Sequence, residues 1–233
     1  MATEQVRHPI FARVFVRFME GAEKAGGADH RRELLEGLSG RVVEVGCGHG
    51  LNFRHYPPEV TEVVAVEPEA YLRERAIEAA KSAAVPIRVV DGVAGGLPVE
   101  DGSCDAGVSS LVMCSVADQD AALGELHRAI RPGGELRFYE HVLAESPGFA
   151  RYQRIADRTF WPIVAGGCHS ARDTLGAMER AGFDVERVRR FPFPPAPIPL
   201  PAKPHTLGLA RRGYGGRMPP TESDRGQDAR GAS

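Results

Sequence analysis

No long apolar run, no paired-cysteine spacing and no strong excess of either charge occurs in this chain of 233 residues. A formal net charge of -2 gives no global attraction for nucleic acid or an anionic membrane, so neither is expected as a partner. The opening "MATEQVRHPIFARVFVRFMEG" carries charges throughout. It lacks the continuous apolar core of a signal peptide or a transmembrane segment. Cysteine is scarce. Cys47, Cys104, Cys114 and Cys168 show no C-x-x-C pattern, which predicts neither a disulfide framework nor a zinc site and fits a reduced cytoplasmic interior. No metal is expected. What remains, 42% hydrophobic and 26% charged residues, is the composition of a globular protein with room for one substantial core.

Periodicity then orders the chain. Apolar residues Ile10, Phe11, Val14, Phe15 and Phe18 recur at helical spacing and predict a helix over 6–20, docked on the domain. From Arg41 short apolar runs alternate with helical stretches. "RVVEVG", "TEVVAVE", "PIRVVD", "CDAGVSSLVM" and "RPGGELRFYEHV" read as strands. "GLNFRHYP" reads as a short helix stopped by Pro57 and Pro58, and longer helices are expected over 69–83 and 118–130. Residues 148–165 read as helical with a break at Trp161-Pro162, and "SARDTLGAMERAGF" as a helix closed by Gly182. "DVERVRRF" and "HTLGLARR" supply two last strands. Between them "FPFPPAPIPLPAKP" must be an extended connection, because its prolines remove donors and fix φ. This connection is expected to form part of a lid together with the N-terminal helix. The tail from Gly213 is expected to be disordered.

Such alternation predicts an α/β protein with a mostly parallel sheet covered on both faces, whose ligands gather at the carboxyl ends of the strands. The first strand runs into "EVGCGHG", where Gly46, Gly48 and Gly50 permit a tight turn and close approach to a ligand. The spacing is G-x-G-x-G. It differs from the G-x-G-x-x-G of dinucleotide binders and lacks the Gly-Lys-Ser/Thr ending of a phosphate loop. Glu67 ends the second strand, where a carboxylate can accept bonds from both hydroxyls of a ribose. Glu44, before the glycines, disfavours a pyrophosphate and suits a cationic ligand. S-adenosylmethionine, with an ammonium, a sulfonium, an adenosine and no phosphate, fits this set.

These motifs resemble the class I S-adenosylmethionine-dependent methyltransferases: "EVGCGHG", "VVAVEP", "GLPVEDGSCDAGVSS" and "LHRAIRPGGELRFYE" follow in that family's order over residues 38–145. A narrower likeness, on "GLNFRHYPP", "SLVMCSV", "RFYEHV", "GGCHSARDT" and "PHTLGLA", is to the thiol S-methyltransferases and their bacterial relatives. The resemblance implies a Rossmann-like, seven-stranded sheet. It also implies an N-terminal helical lid over 1–36, a methyltransferase domain over 37–212 and a tail over 213–233. The apolar anchor of the animal members is missing here, which implies a soluble enzyme.

By carry-over, the backbone around Gly46, Cys47 and Gly48 would face the methionine moiety, Glu67 the ribose, and Val93 and Ala94 the adenine, with Leu111 on its other side. Glu44, Gly50, Asn52, Phe53, Pro68, Asp91 and Ser110 are expected at the cofactor as well. Relatives often carry an acidic residue near Gly95, and this chain has glycine there, which leaves two expectations: a lower cofactor affinity, or Asp91 in its place. For the chemistry, His141 at the end of the fifth strand is expected as base or substrate-orienting group. Trp161, Cys168, His169, Arg172 and Asp173 are expected around the acceptor, and Arg172 with Asp173 could equally be a helix-start charge arrangement. The acceptor is expected to be a small molecule, a thiol first. An oxygen or nitrogen acceptor on the same fold, or a protein that binds the cofactor without methylating, are the alternatives.

Overall fold

The computed structural model describes residues 9–195 and 199–214. Within them the strands β1 (Gly40–Val45), β2 (Val60–Val66), β3 (Ile87–Val90), β4 (Cys104–Ser110), β5 (Ile130–His141), β6 (Phe183–Pro192) and β7 (Pro204–Arg212) form one sheet. Its order is β3-β2-β1-β4-β5-β7-β6. The first five strands are parallel, and β7 pairs antiparallel with both β5 and β6. This is the expected mostly parallel, seven-stranded arrangement. The strand order changes direction at β1 and β4, so a crevice opens between their carboxyl ends.

Helices α1 (Pro9–Ala22), α2 (Ala28–Leu35), α3 (Ala70–Ala80), α4 (Gln119–Ala129), α5 (Pro147–Arg158), α6 (Trp161–Val164) and α7 (Thr174–Arg180) accompany the sheet. A strand buried on both faces reads as an apolar run, as Val63–Val66 of β2 does and as Val42–Val45 of β1 does but for Glu44. Val43, Val45, Val64 and Val66 face Leu123 and Leu126 of α4 and Met178 of α7. Val42, Val63 and Ala65 face Leu34 and Leu35 of α2 and Ala76 of α3. Period two along β1 therefore puts Glu44 on the same face as Val42, among Phe53 and Tyr56. The position of that carboxylate follows from the pleat.

Several expectations are corrected. β4 stops at Ser110 instead of running on to Met113. Leu111 takes a left-handed φ of 61°, and the buried Glu140 carboxylate accepts the Val112 and Met113 N–H groups at 3.0 and 3.1 Å, turning the chain out of the sheet. "GLNFRHYP" forms only a single 3-10 turn at Phe53–His55. The break in 148–165 falls before Trp161, which with Pro162 starts α6, as proline at a first helical turn permits. The helix expected from Ser170 begins at Thr174, with the Asp173 carboxylate accepting the Gly176 N–H at 3.2 Å as its cap. Phe18, read as part of an apolar face, is 60% exposed, while Val16 and Met19 are buried. α2 carries no strong apolar period and was not anticipated as a separate helix. The side chains of Ile10, Phe11, Val14 and Phe15, and the expected disorder beyond residue 214, lie outside the described residues.

Candidate active site

The carboxyl ends of β1, β2 and β4 and the loop after β3 enclose a cavity of about 810 Å³, within the range of small-molecule and cofactor sites. The glycine turn forms one wall. Gly48 has φ +57°, and a Cβ built there meets nothing within 4 Å, so the backbone at this point faces open space. Gly46, with φ +60°, serves a different end. A Cβ there would meet Val112 Cγ2 at 2.6 Å, so this glycine lets the two strand-end loops pack together.

Glu67 holds the turn in place. One carboxylate oxygen accepts the Gly48 N–H at 2.8 Å and the other accepts the Glu69 N–H at 2.9 Å. The side chain is buried, and burial pushes its pKa up against these bonds. A carboxylate offers about four acceptor positions, so two remain for a ligand, the number of hydroxyls on a ribose.

Behind the turn lies a buried polar chain. Asn52 Nδ2 donates to Glu44 Oε1 at 2.8 Å and the Tyr56 hydroxyl donates to Glu44 Oε2 at 2.8 Å. Arg31 Nη1 donates to Asn52 Oδ1 at 2.8 Å and to Ser110 Oγ at 3.0 Å, and its Nε donates to Glu23 at 3.0 Å. Burial pushes the pKa of Glu44 up to about 7, against the bonds from Tyr56 and Asn52. Arg31, from the unanticipated α2, and Met19, from α1, both line the cavity. Nothing in the local sequence around Arg31 marks it, since the contacts that bury it are 21 and 79 residues away in the chain.

Of the residues expected at the cofactor, Glu44, Gly46, Cys47, Gly48, Asn52, Glu67, Pro68, Val93, Ala94, Ser110 and Leu111 line the cavity. Gly50, Phe53 and Asp91 do not. Phe53 is a core ring lying under Gly50, where a Cβ would meet its Cδ2 at 2.7 Å. Asp91 is exposed, pairs with Arg73 at 3.0 Å and is not part of the lining beside Gly95. Gly95 itself lines the cavity.

The residues expected around the acceptor stand outside the lining. Arg172 Nη1 donates to the Met113 and Val116 carbonyls at 2.7 and 2.8 Å and so straps the loop after β4. Asp173 caps α7. His169 lies 3.9 Å from Asp157 and is partly exposed. Trp161 also lies outside the cavity, though Ala165 and Gly166, just beyond its helix, form part of the wall. The described residues of 191–204 do not line it. Phe191 and Phe193 pack on His30 and His205.

His141 ends β5 as expected but sits behind the wall, partly buried. Its Nδ1 lies 3.3 Å from Cys114 Sγ and 3.4 Å from Cys168 Sγ. Burial acts to lower its pKa, but Cys114 and Glu140 outweigh that and the value is raised. The hydrogen bond between the two thiols holds Cys168 below and Cys114 well above the ordinary thiol range. Nothing local marks Cys114, because His141, the ring its thiol faces, lies 27 residues away in the chain.

The model of a methyltransferase domain matches residues 43–138. The human thiol S-methyltransferase TMT1A is 34% identical over 196 residues, 78% of either chain. The chain belongs to the class I S-adenosylmethionine-dependent methyltransferase family. Within that family it is similar to the mouse thiol S-methyltransferase TMT1B, at 36% identity over 76% of this chain and 73% of the relative. It is also similar, at 26% over 79% and 89%, to the ubiquinone/menaquinone biosynthesis C-methyltransferase UbiE of Syntrophotalea carbinolica. Among solved structures, an S-adenosylmethionine-dependent methyltransferase from Mesorhizobium loti superposes with a TM-score of 0.60 at 24% identity, covering 81% of this chain and 98% of that one. The [4+2]-cyclase SpnF superposes at 0.64 and 18%, covering 82% and 81%. Both show the shared fold. S-adenosylmethionine fits the residues present. The open backbone at Gly48, the two free acceptor positions of Glu67 and the apolar strip Val93, Ala94, Leu111 and Leu72 match its tail, ribose and adenine. Among the described residues no helix is long and apolar enough to cross a membrane.

Proposed function

We propose that this methyltransferase moves its methyl group to the sulfur of a small thiol by direct in-line displacement. The likeness to thiol S-methyltransferases over 78% of the chain carries the reading. The chemistry of the lining agrees with it. Glu44 is bonded to Asn52 and Tyr56, Glu67 to two backbone N–H groups, Glu69 to the Leu72 N–H and Asp118 to the Ala121 N–H. His49 has its pKa pushed down by burial. Each of these carboxylates is already engaged by hydrogen-bond donors, which favours an acceptor that loses its proton readily. A thiol with a pKa of about 8.5 does so far more easily than an alcohol.

When bound, S-adenosylmethionine supplies a methyl group on an electrophilic sulfonium. Glu67 would hold the ribose hydroxyls, Arg31 the aminoacyl carboxylate, and the Gly46–Gly48 backbone the tail. Met19 and Arg31 make α1 and α2 the cover that excludes water, so thiolate and methyl carbon can be held at about 3–3.5 Å. The four buried, unpaired cysteines suit a reducing cytoplasm.

The test is transfer of labelled methyl from S-adenosylmethionine to a panel of alkyl thiols, phenols and amines by the full chain. Transfer to thiols is expected. Labelled phenols or amines with inert thiols would replace sulfur by oxygen or nitrogen. Tight cofactor binding with no transfer to any of them would make this a non-methylating member of the fold.

A further inference from the structure

We propose that Cys114, His141 and Cys168 form a three-ligand site for a thiophilic divalent ion of the zinc type. The three ligand atoms, Cys114 Sγ, His141 Nδ1 and Cys168 Sγ, all lie within 4.8 Å of one another. Around a tetrahedral ion with Zn–S of about 2.3 Å and Zn–N of about 2.05 Å, the S···N edge is about 3.5 Å. The two S···N separations here are 3.3 and 3.4 Å. Two of the three edges thus already stand near coordination spacing, and the S···S edge, about 3.8 Å around such an ion, falls within the 4.8 Å bound, so an ion can enter with modest movements of the side chains.

The ligands come from three segments: the loop after β4, the end of β5 and the loop after α6. Each segment is fixed by buried polar contacts that do not involve the ligand atoms. Glu140, fully buried, accepts the Ser109 hydroxyl at 2.5 Å and the Val112 and Met113 N–H groups, and Arg172 holds the Met113 and Val116 carbonyls. The His169 N–H donates to the Cys114 carbonyl at 2.7 Å, joining the two cysteine loops directly. Asp157 takes the Ser170 and Ala171 N–H groups, at 3.0 and 2.9 Å, and Gln153 donates to the Ser170 carbonyl at 3.0 Å. Such outer supports set ligand orientation and tune metal affinity.

Charge favours the same reading. Two thiolates cancel a divalent cation, so a neutral cluster can be buried without the cost of an unpaired charge. Two cysteines and one histidine select thiophilic ions over magnesium or calcium, which take oxygen ligands. With three protein ligands the fourth tetrahedral position stays open. Ser115, next to Cys114, and Gly166, two residues before Cys168, both line the cofactor cavity, so the cluster lies directly behind its wall. The site stands on this geometry alone and does not depend on which acceptor is methylated.

Cobalt(II) titration of the reduced full chain tests it. The expected result is one equivalent bound, with a thiolate-to-cobalt charge-transfer band and the intense visible bands of tetrahedral cobalt, both abolished by zinc. Cys114→Ser, Cys168→Ser and His141→Ala should each weaken binding by roughly tenfold or more, as loss of a ligand must at least match loss of an outer support. Cys104→Ser should leave the spectrum intact. Absence of both bands in the wild-type chain, which needs no variant to fold, would overturn the proposal. So would bands that persist in the three ligand variants, or a mass two hydrogen atoms lighter that shows Cys114 and Cys168 still joined as a disulfide after reduction.

Discussion

Replacing Glu67 separates its two duties. Both of its oxygens already accept backbone N–H groups, from Gly48 and Glu69. Glu67→Gln is therefore a severe change despite its shape. One end of the amide must present N–H to an N–H, leaving a buried donor unpaired at a cost of about 1–3 kcal/mol. The charge that strengthens two ribose bonds also disappears. Hydrogen bonds to charged groups contribute about 1.5–3 kcal/mol each, so loss of two at the lower bound amounts to about 3 kcal/mol, or roughly a hundredfold in Kd. Glu67→Ala removes the acceptor entirely but opens space for water at both N–H groups, and should weaken binding by a similar factor. Titration calorimetry with S-adenosylhomocysteine measures the effect, with circular dichroism and thermal melting as controls for the fold. The ribose assignment fails if either variant, still folded, binds within about threefold of the parent chain.

Other perturbations test neighbouring parts of the site. Glu44 has a folded pKa of about 7 against an unfolded value of 4.5, so ionisation opposes folding. Its penalty is absent below pH 4.5, grows as pH rises to about 7, and levels off near 3 kcal/mol. Glu44→Gln should remove that part of the pH dependence, and parallel denaturant melts that lose stability equally from pH 5 to 8 would refute it. Gly48→Ala meets no atom within 4 Å but must hold φ +57°. It should cost about 1–2 kcal/mol of stability and reduce cofactor affinity by intruding on the cavity. Gly46→Ala, driven against Val112, should instead impair folding first, and equal melting temperatures for the two variants would contradict this contrast. Gly95→Asp has room, its nearest contact being Ala121 Cβ at 3.9 Å. An acceptor beside the adenine amine should tighten S-adenosylhomocysteine binding several-fold, and unchanged calorimetry would place adenine elsewhere.

The uneven legibility of this molecule has a physical origin. β1 and β2 are buried on both faces at their carboxyl halves, and their valine-rich runs announce this within six or seven residues. The glycine turn is legible for the same reason: left-handed φ at Gly46, Gly48 and Gly50 is a local demand that a local residue type answers. Glu67 followed from its place at a strand end. Arg31 and Cys114 could not be found this way. An arginine in a weakly amphipathic eight-residue helix has the local pattern of a solvated charge, and only its distant contacts with Asn52 and Ser110 make it part of a cavity wall. The cysteine spacing argued against a metal site because C-x-x-C is the pattern of ligands gathered by one loop. Here two loops and a strand end bring single ligands together, at separations of 27 residues between Cys114 and His141 and again between His141 and Cys168. Parallel sheets favour such gatherings, because every crossover returns the chain to the same edge and leaves one strand-end loop beside the next. For this fold, then, widely separated cysteines and histidines are informative when each follows a strand or closes a loop at the carboxyl edge, and motif spacing within one segment is the wrong measure for them.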